Sequence, residues 1–210
     1  MTAPVSEKPI VYVVDDDDSL RKAVARLLRA AGYEVCAYAS AGDFALANRE
    51  RTRRGCVLLD VRMPGPSGLD LQEALAREDE PLPVIFLTAY GDIPTSVRAM
   101  KAGAVDFLTK PIKRDVLLNA VRTALARDLG LRTSREQLRD LRMRFAKLTP
   151  REREVFDLVV AGRLNKQIAG ELGMAERTVK AHRGQVMTKM RVTSLAELVH
   201  LADKMQSAAL

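Results

Sequence analysis

Short apolar runs recur along the first part of the chain at 10–14, 33–38, 56–59, 84–87 and 104–108, each bounded by polar residues or glycine. Runs of that length rich in Val, Ile and Leu read as strands buried on both faces. Between them the apolar positions take helical spacing: Leu20, Val24, Leu27 and Leu28, then Leu69, Leu71, Ala74 and Leu75, then Val97 and Met100, then Val116, Leu117, Ala120, Val121 and Leu125. Gly32 and Gly103 fall where helices should stop. Five strand–helix units in succession predict an α/β fold, a five-stranded doubly wound parallel sheet with helices on both faces.

The pattern changes at Asp128. From there to Lys147 charge dominates, with Leu131, Leu138, Leu141 and Phe145 at helix-compatible spacing, which predicts a helical linker over 128–147. Thr149, Pro150 and Glu152 then form a capping box with proline at the first helical position, so a helix begins there and ends near Gly162. Asn165 is positioned to cap a second helix, KQIAGELG. RTVKAHRGQVMTKM makes a third and SLAELVHLADKM a fourth. Four short helices with tight turns predict a small all-α domain over 148–210 that contains a helix-turn-helix, behind an α/β domain over 1–127.

Charge supports the division. Of 34 Lys+Arg and 27 Asp+Glu, residues 1–127 hold 18 and 17, and residues 128–210 hold 16 and 10, so +6 of the net +7 sits in the shorter C-terminal part. A basic module is the electrostatic footprint of nucleic-acid binding. No stretch approaches a membrane span and MTAPVSEKP lacks the apolar run of a signal peptide, which predicts a cytoplasmic protein without membrane association. Cys36 and Cys56 have no His or Cys neighbours at metal spacing and read as small hydrophobes.

The chemistry lies at the strand ends. IVYVV runs into Asp15-Asp16-Asp17-Asp18, CVLL into Asp60, and AVDFLT into Lys110. In an open parallel sheet the carboxyl ends of the strands meet at one crevice, so Asp15, Asp16, Asp60 and Lys110 should converge there. Clustered carboxylates call for a hard divalent cation such as Mg²⁺, and a lysine beside them suits a phosphoryl oxygen. The pocket looks built to accept a phosphoryl group on a carboxylate.

VVDDD, LLDVRMPGPSG, FLTAYGD and AVDFLTKP together resemble the receiver domain of two-component response regulators, a flavodoxin-like fold, and the match spans 9–127. The resemblance implies that Asp60 is the phosphoacceptor and that Asp16 and Asp60 ligate Mg²⁺ directly. It has Asp15 act through water and the Arg62 carbonyl supply another oxygen. Thr88 would bond one phosphoryl oxygen and Lys110 pair with another, with Pro111 at the family's usual cis-proline position. Phe107 matches the aromatic that turns inward when Thr88 moves toward the phosphoryl group. Tyr90 is placed to shield the acyl phosphate. Asp17 and Asp18 lead into the first helix, where negative charge is favourable.

Residues 148–205, through LTPREREV, NKQIAGELGMAERTVKAHRGQVMTKM and SLAELV, resemble the LuxR-type helix-turn-helix. RTVKAHRGQVMTKM would then be the helix that enters the major groove, with Val179, Val186 and Met190 turned to the core. Lys180, Ala181, Arg183, Gly184 and Gln185 are the candidates for base edges. Lys166, Arg177 and Thr178 are better placed for phosphates, and His182 for packing or a phosphate. Gly184 departs from the side chain many relatives carry there.

Receiver, linker and effector in this order resemble the FixJ-like group of response regulators. That resemblance implies a transcription factor rather than an enzyme, phosphorylated on Asp60 by a sensor histidine kinase. Before phosphorylation the receiver masks the effector or fails to dimerise it. Afterwards receivers pair through the fourth-helix, fifth-strand, fifth-helix face, and the homodimer binds double-stranded promoter DNA and acts on RNA polymerase, with activation the expected outcome. A HAD-like phosphohydrolase also uses Asp and Mg²⁺, but needs a D-x-D strand end and a cap domain. A nucleotide-binding fold needs a glycine-rich loop that is absent here. A regulator that binds DNA without phosphate is disfavoured by the intact acidic pocket.

Overall fold

A computed structural model describes residues 8–48, 54–78, 80–89 and 91–207. Tyr90 and the first seven residues lie outside the described residues. The chain divides into two units, 1–131 and 132–210.

In the first unit, strands β1 (Ile10–Val14), β2 (Glu34–Tyr38), β3 (Gly55–Leu59), β4 (Val84–Thr88) and β5 (Asp106–Thr109) alternate with helices α1 (Asp18–Ala30), α2 (Ala41–Ala47), α3 (Gly68–Ala76), α4 (Ile93–Lys101) and α5 (Arg114–Ala146). All pairings are parallel, in the order β2-β1-β3-β4-β5. Strand alternation splits the core in two. Ile10, Tyr12 and Val14 pack with Phe44 of α2, Leu71 and Leu75 of α3 and Ala99 of α4. Val11 and Val13 face the other way onto Val24 and Leu28 of α1 and Leu117, Ala120, Val121 and Ala124 of α5. Each fully buried Leu or Phe contributes about 1.5–3 kcal/mol to such a core.

Local chemistry fixes the boundaries. Asp17 caps α1 by accepting from Leu20 N, and Asp92 caps α4 by accepting from Thr95 N. Gly32 and Gly103, both at φ +91°, let the chain leave α1 and α4. Cys56 is buried, and burial, helped by the Asp128 charge, pushes its thiol up to about 12, so it is inert at neutral pH. Cys36 is only half-buried.

Two elements carry details that the sequence pattern does not show. The short helix α2 buries only Ala41 and Phe44, and its 7 residues make fewer than two turns, too short a stretch to show a period. The helix expected over 128–147 is continuous with the helix that precedes it: α5 runs unbroken through Gly130, whose place in the helix interior demands no special backbone.

The second unit takes in the end of α5, then α6 (Pro150–Val160), α7 (Asn165–Leu172), α8 (Glu176–Met190) and α9 (Leu195–Ser207). Val155, Phe156, Ile168, Val179, Val186, Met190 and Leu198 form its core, joined by Leu141 of α5. Thr149 and Glu152 make the expected reciprocal cap of α6. Asn165 does not cap α7: it is the first helical residue, and the preceding Leu164 N–H is satisfied by Gln167 Oε1 at 2.8 Å. Gly173, at φ +63°, closes α7 in a left-handed turn that leads into α8.

Candidate functional site

β1 and β3 are neighbours in the sheet, yet their following helices cover opposite faces. Their carboxyl ends therefore border a crevice of the kind where open α/β sheets bind ligands. Three backbone bonds extend the strands to the functional residues. Asp15 N donates to Tyr38 O at 3.2 Å, Asp60 N to Val14 O at 2.9 Å, and Lys110 N to Thr88 O at 2.8 Å.

Asp15 and Asp60 are buried and Asp16 is exposed, and their carboxylate oxygens can all lie within 4.8 Å of one another. Lys110 Nζ joins the two buried acids, at 2.8 Å from Asp15 Oδ2 and 3.2 Å from Asp60 Oδ2. The peptide bond that follows it, to Pro111, is cis. The other oxygens are held by backbone: Asp15 Oδ1 accepts from Asp17 N at 2.9 Å and Asp60 Oδ1 from Val61 N at 2.7 Å. Burial holds the Asp15 carboxyl above the usual aspartate value, opposed by the hydrogen bond and charge of Lys110 and reinforced by the Asp60 charge.

Three carboxylates against one ammonium leave two negative charges, and the donor set is all oxygen. That balance fits a divalent hard cation such as Mg²⁺, with Asp16 at the open side. Arg62 follows Asp60 by two residues in the loop after β3, its side chain exposed. Thr88 is fully buried at the end of β4. Phe107 is half-buried on β5, its ring 5.8 Å from Phe86. Gly68 is a site residue that sequence reasoning missed. A Cβ there would lie 2.0 Å from the Asp60 carbonyl oxygen, so only glycine lets α3 start against the phosphoacceptor candidate. Its place in the PSG string was the available signal.

In the second unit, Val179, Val186 and Met190 are fully buried, and Lys180, Ala181, Gly184 and Gln185 share the opposite, exposed side of α8. Arg177, Thr178 and Lys166 are exposed near the starts of α8 and α7. Arg183 is drawn back: its Nη1 donates to Asn165 Oδ1 at 3.0 Å, tying α8 to α7. His182 is half-buried.

Residues 11–122 match the response regulator receiver domain, more than half of the chain. The chain is a response regulator. Residues 146–202 match the bacterial regulatory proteins of the luxR family, so a DNA-binding domain follows the receiver and the protein is a two-component transcriptional regulator, not an enzyme. Nodulation protein W of Bradyrhizobium diazoefficiens is 48% identical over 204 residues, covering 97% of this chain and 89% of that one. The solved response regulator StyR is 50% identical with a TM-score of 0.82, over 94% of this chain and all of that one. Full-length FixJ from B. japonicum is 39% identical with a TM-score of 0.58, over 96% and 99%. Receiver domains bind Mg²⁺, and the acidic cluster of this response regulator suits it. No helix among the described residues is long and apolar enough to cross a membrane.

Proposed function

We propose that this response regulator is switched on by phosphorylation of Asp60 and then acts as a DNA-bound dimer in the cytoplasm. The observation that carries the reading is the bridge of Lys110 to Asp15 and Asp60 beside Asp16, a charge arrangement matched to one divalent cation and one phosphoryl group. The donor is a phosphohistidine of a sensor kinase. Asp60 Oδ2 attacks phosphorus, the N–P bond breaks, and the imidazole leaves with the bonding pair. Asp15, Asp16, Asp60 and the Arg62 carbonyl would hold Mg²⁺, which when bound neutralises charge that builds up on the phosphoryl oxygens. Lys110 exchanges its bond to Asp60 for one to a phosphoryl oxygen, and Thr88 supplies a hydroxyl to another.

The product carries about −1.5 to −2 charges, by analogy with phosphoserine, in a pocket that held −1 at Asp60. Thr88 moves toward it and Phe107 fills the vacated space, a local change in charge and packing with a wider readout. Exposed Ile93, Val97 and Met100, at helical spacing along α4, and exposed Val116 on α5 support a receiver pairing surface, since exposed apolar side chains gain by being covered. Paired effectors then read half-sites about one DNA turn apart. Lys180, Ala181, Gly184 and Gln185 meet base edges, while Lys166, Arg177 and Thr178 fix register on phosphates. The bound dimer recruits RNA polymerase and activates transcription.

The test is incubation with Mg²⁺ and acetyl phosphate, followed by intact mass and size-exclusion elution, against Asp60→Asn. The native protein should gain one phosphoryl group and elute as a dimer, and the variant should do neither. Dimerisation and DNA binding identical in both proteins would refute the switch.

A further inference from the structure

The last two turns of α5 do more than end a helix. Leu141 is buried, and Phe145 packs edge-on against Phe156 of α6 with ring centroids 5.1 Å apart. Arg144 stands beside them. Its Nη1 donates to the Met190 carbonyl at 3.3 Å, and its Nη2 pairs with Asp140 one turn back. Its Nε is buried without a hydrogen-bond partner. An unpaired buried donor opposes folding, so core packing alone does not account for a guanidinium here, and violations of that kind gather where function demands them.

Met190 is the last residue of α8, and its carbonyl belongs to the set that a helix C-terminus leaves without intrahelical partners. A cation there also complements the negative end of the helix dipole. The same turn is held from a second direction. Lys189 Nζ donates to both Glu152 oxygens, at 2.8 and 2.6 Å, and Glu152 Oε2 also accepts from Thr149 N at the start of α6. The final turn of α8 is thus gripped by two charged clasps, one from α5 and one from α6.

We propose that Arg144 is a positioning residue for DNA recognition, setting from α5 the placement of α8 on which base contacts by Lys180, Ala181, Gly184 and Gln185 depend. The proposal rests on the reading of α8 as the recognition helix. It extends the DNA-reading unit upstream of residue 146, where the luxR family match begins. It also means that any shift of the end of α5 against α6 reaches the C-terminal turn of α8 directly, through one guanidinium. Arginine suits the task because its planar fork offers donors in two directions, to a carboxylate and to a neighbouring helix's carbonyl, whereas lysine keeps the charge without the fork.

The test uses the full chain with Mg²⁺ and acetyl phosphate. A duplex enriched by the native protein from a library with a randomised core is compared with a scrambled duplex by fluorescence anisotropy at fixed salt, for Arg144→Met, Arg144→Lys and Lys180→Ala. Both Arg144 variants should lower the selected-to-scrambled affinity ratio about tenfold, comparable to the loss of one base contact. In Arg144→Lys the scrambled duplex should bind within about twofold of native, because non-specific affinity follows charge. Arg144→Lys carries the test should Arg144→Met fail to fold. A residue that served stability alone would lower the melting temperature and leave the ratio unchanged below it, and that result overturns the proposal. If Lys180→Ala lowers the ratio while the folded Arg144 variants keep it, the clasp fails and the recognition helix stands. If all three keep it, or the native protein enriches nothing, the assignment of α8 is overturned as well.

Discussion

Replacing Lys110 by methionine probes the charge balance of the acidic pocket at the strand ends. The ammonium lies 2.8 Å from Asp15 Oδ2 and 3.2 Å from Asp60 Oδ2, with side chains 15%, 5% and 10% exposed respectively. At an effective dielectric constant of about 20, each contact represents about 5–6 kcal/mol of gross Coulomb attraction. Removing the ammonium also removes its own desolvation cost, so the net loss is smaller, about 3 kcal/mol, at the low end for breaking a buried pair. Methionine keeps most of the stem's volume, so the loss is electrostatic. Three carboxylates then face one another with no cation, and Asp15, already held above its ordinary 3.8 by burial, moves higher. An acid whose pKa is raised by folding stabilises the fold when protonated, and that stabilisation disappears as the pH rises through the raised value. The variant should therefore gain stability as the pH falls from neutrality toward 3.8. Mg²⁺ replaces the missing charge, and at about 100 times its Kd a ligand adds about 2.7 kcal/mol, so Mg²⁺ should stabilise the variant more than the native protein. Urea unfolding followed by tyrosine fluorescence isolates the effect. The chain has no Trp, and its four Tyr all lie at or before residue 90, so the signal belongs to the receiver. A variant midpoint in Mg²⁺-free buffer equal to or above the native one would refute the reasoning.

Two further substitutions probe the supports of the sites. Glu152 is held below its ordinary 4.5 first by its hydrogen bond to Lys189 and then by Thr149 N, so it contributes stability above that value that is lost as the pH falls through the depressed pKa. Glu152→Gln should cost the effector about 1–3 kcal/mol at neutral pH and flatten this acid limb; circular-dichroism melts at several pH values read both effects, and an unchanged acid limb would remove the clasp from the account. Gly68→Ala puts a Cβ 2.0 Å from the Asp60 carbonyl oxygen, so the loop after β3 must shift at a cost of about 1–3 kcal/mol. Acetyl phosphate uptake should slow about tenfold or more, as displacement of reacting groups by about 1 Å does elsewhere, and a native rate of mass gain would show that the loop has room.

The strand ends were legible because a parallel sheet delivers the last residue of every strand to one edge, whatever its separation in the chain. Asp15, Asp60 and Lys110 could therefore be brought together by topology alone, and the structure joins them through one ammonium. Caps were legible where a side chain answers a backbone three residues away, as at Thr149 and Glu152. Asn165 shows the limit of that logic. Its residue type suits a cap, but its oxygen is taken by Arg183 eighteen positions on, and a local rule has no view of that partner. The change of composition at Asp128 has a physical counterpart inside α5. It marks where α5 stops packing on the sheet, with Ala124 and Asp128 its last buried residues there, and not where the helix stops. Asp128 itself accepts from Gly55 N at 3.0 Å across 73 positions, fastening α5 to the start of the strand that ends beside Asp60. Arg144 on Met190 and Lys189 on Glu152 are of the same kind. Such clasps depend on which helix faces meet, a tertiary fact with no period and no motif. Sequence motifs in this response regulator mark where phosphoryl and DNA chemistry can occur, and long-range charged contacts set the geometry in which it occurs. Substitutions at Asp128 and Arg144, neither of them a motif residue, should accordingly disturb that geometry without removing any group that carries the chemistry.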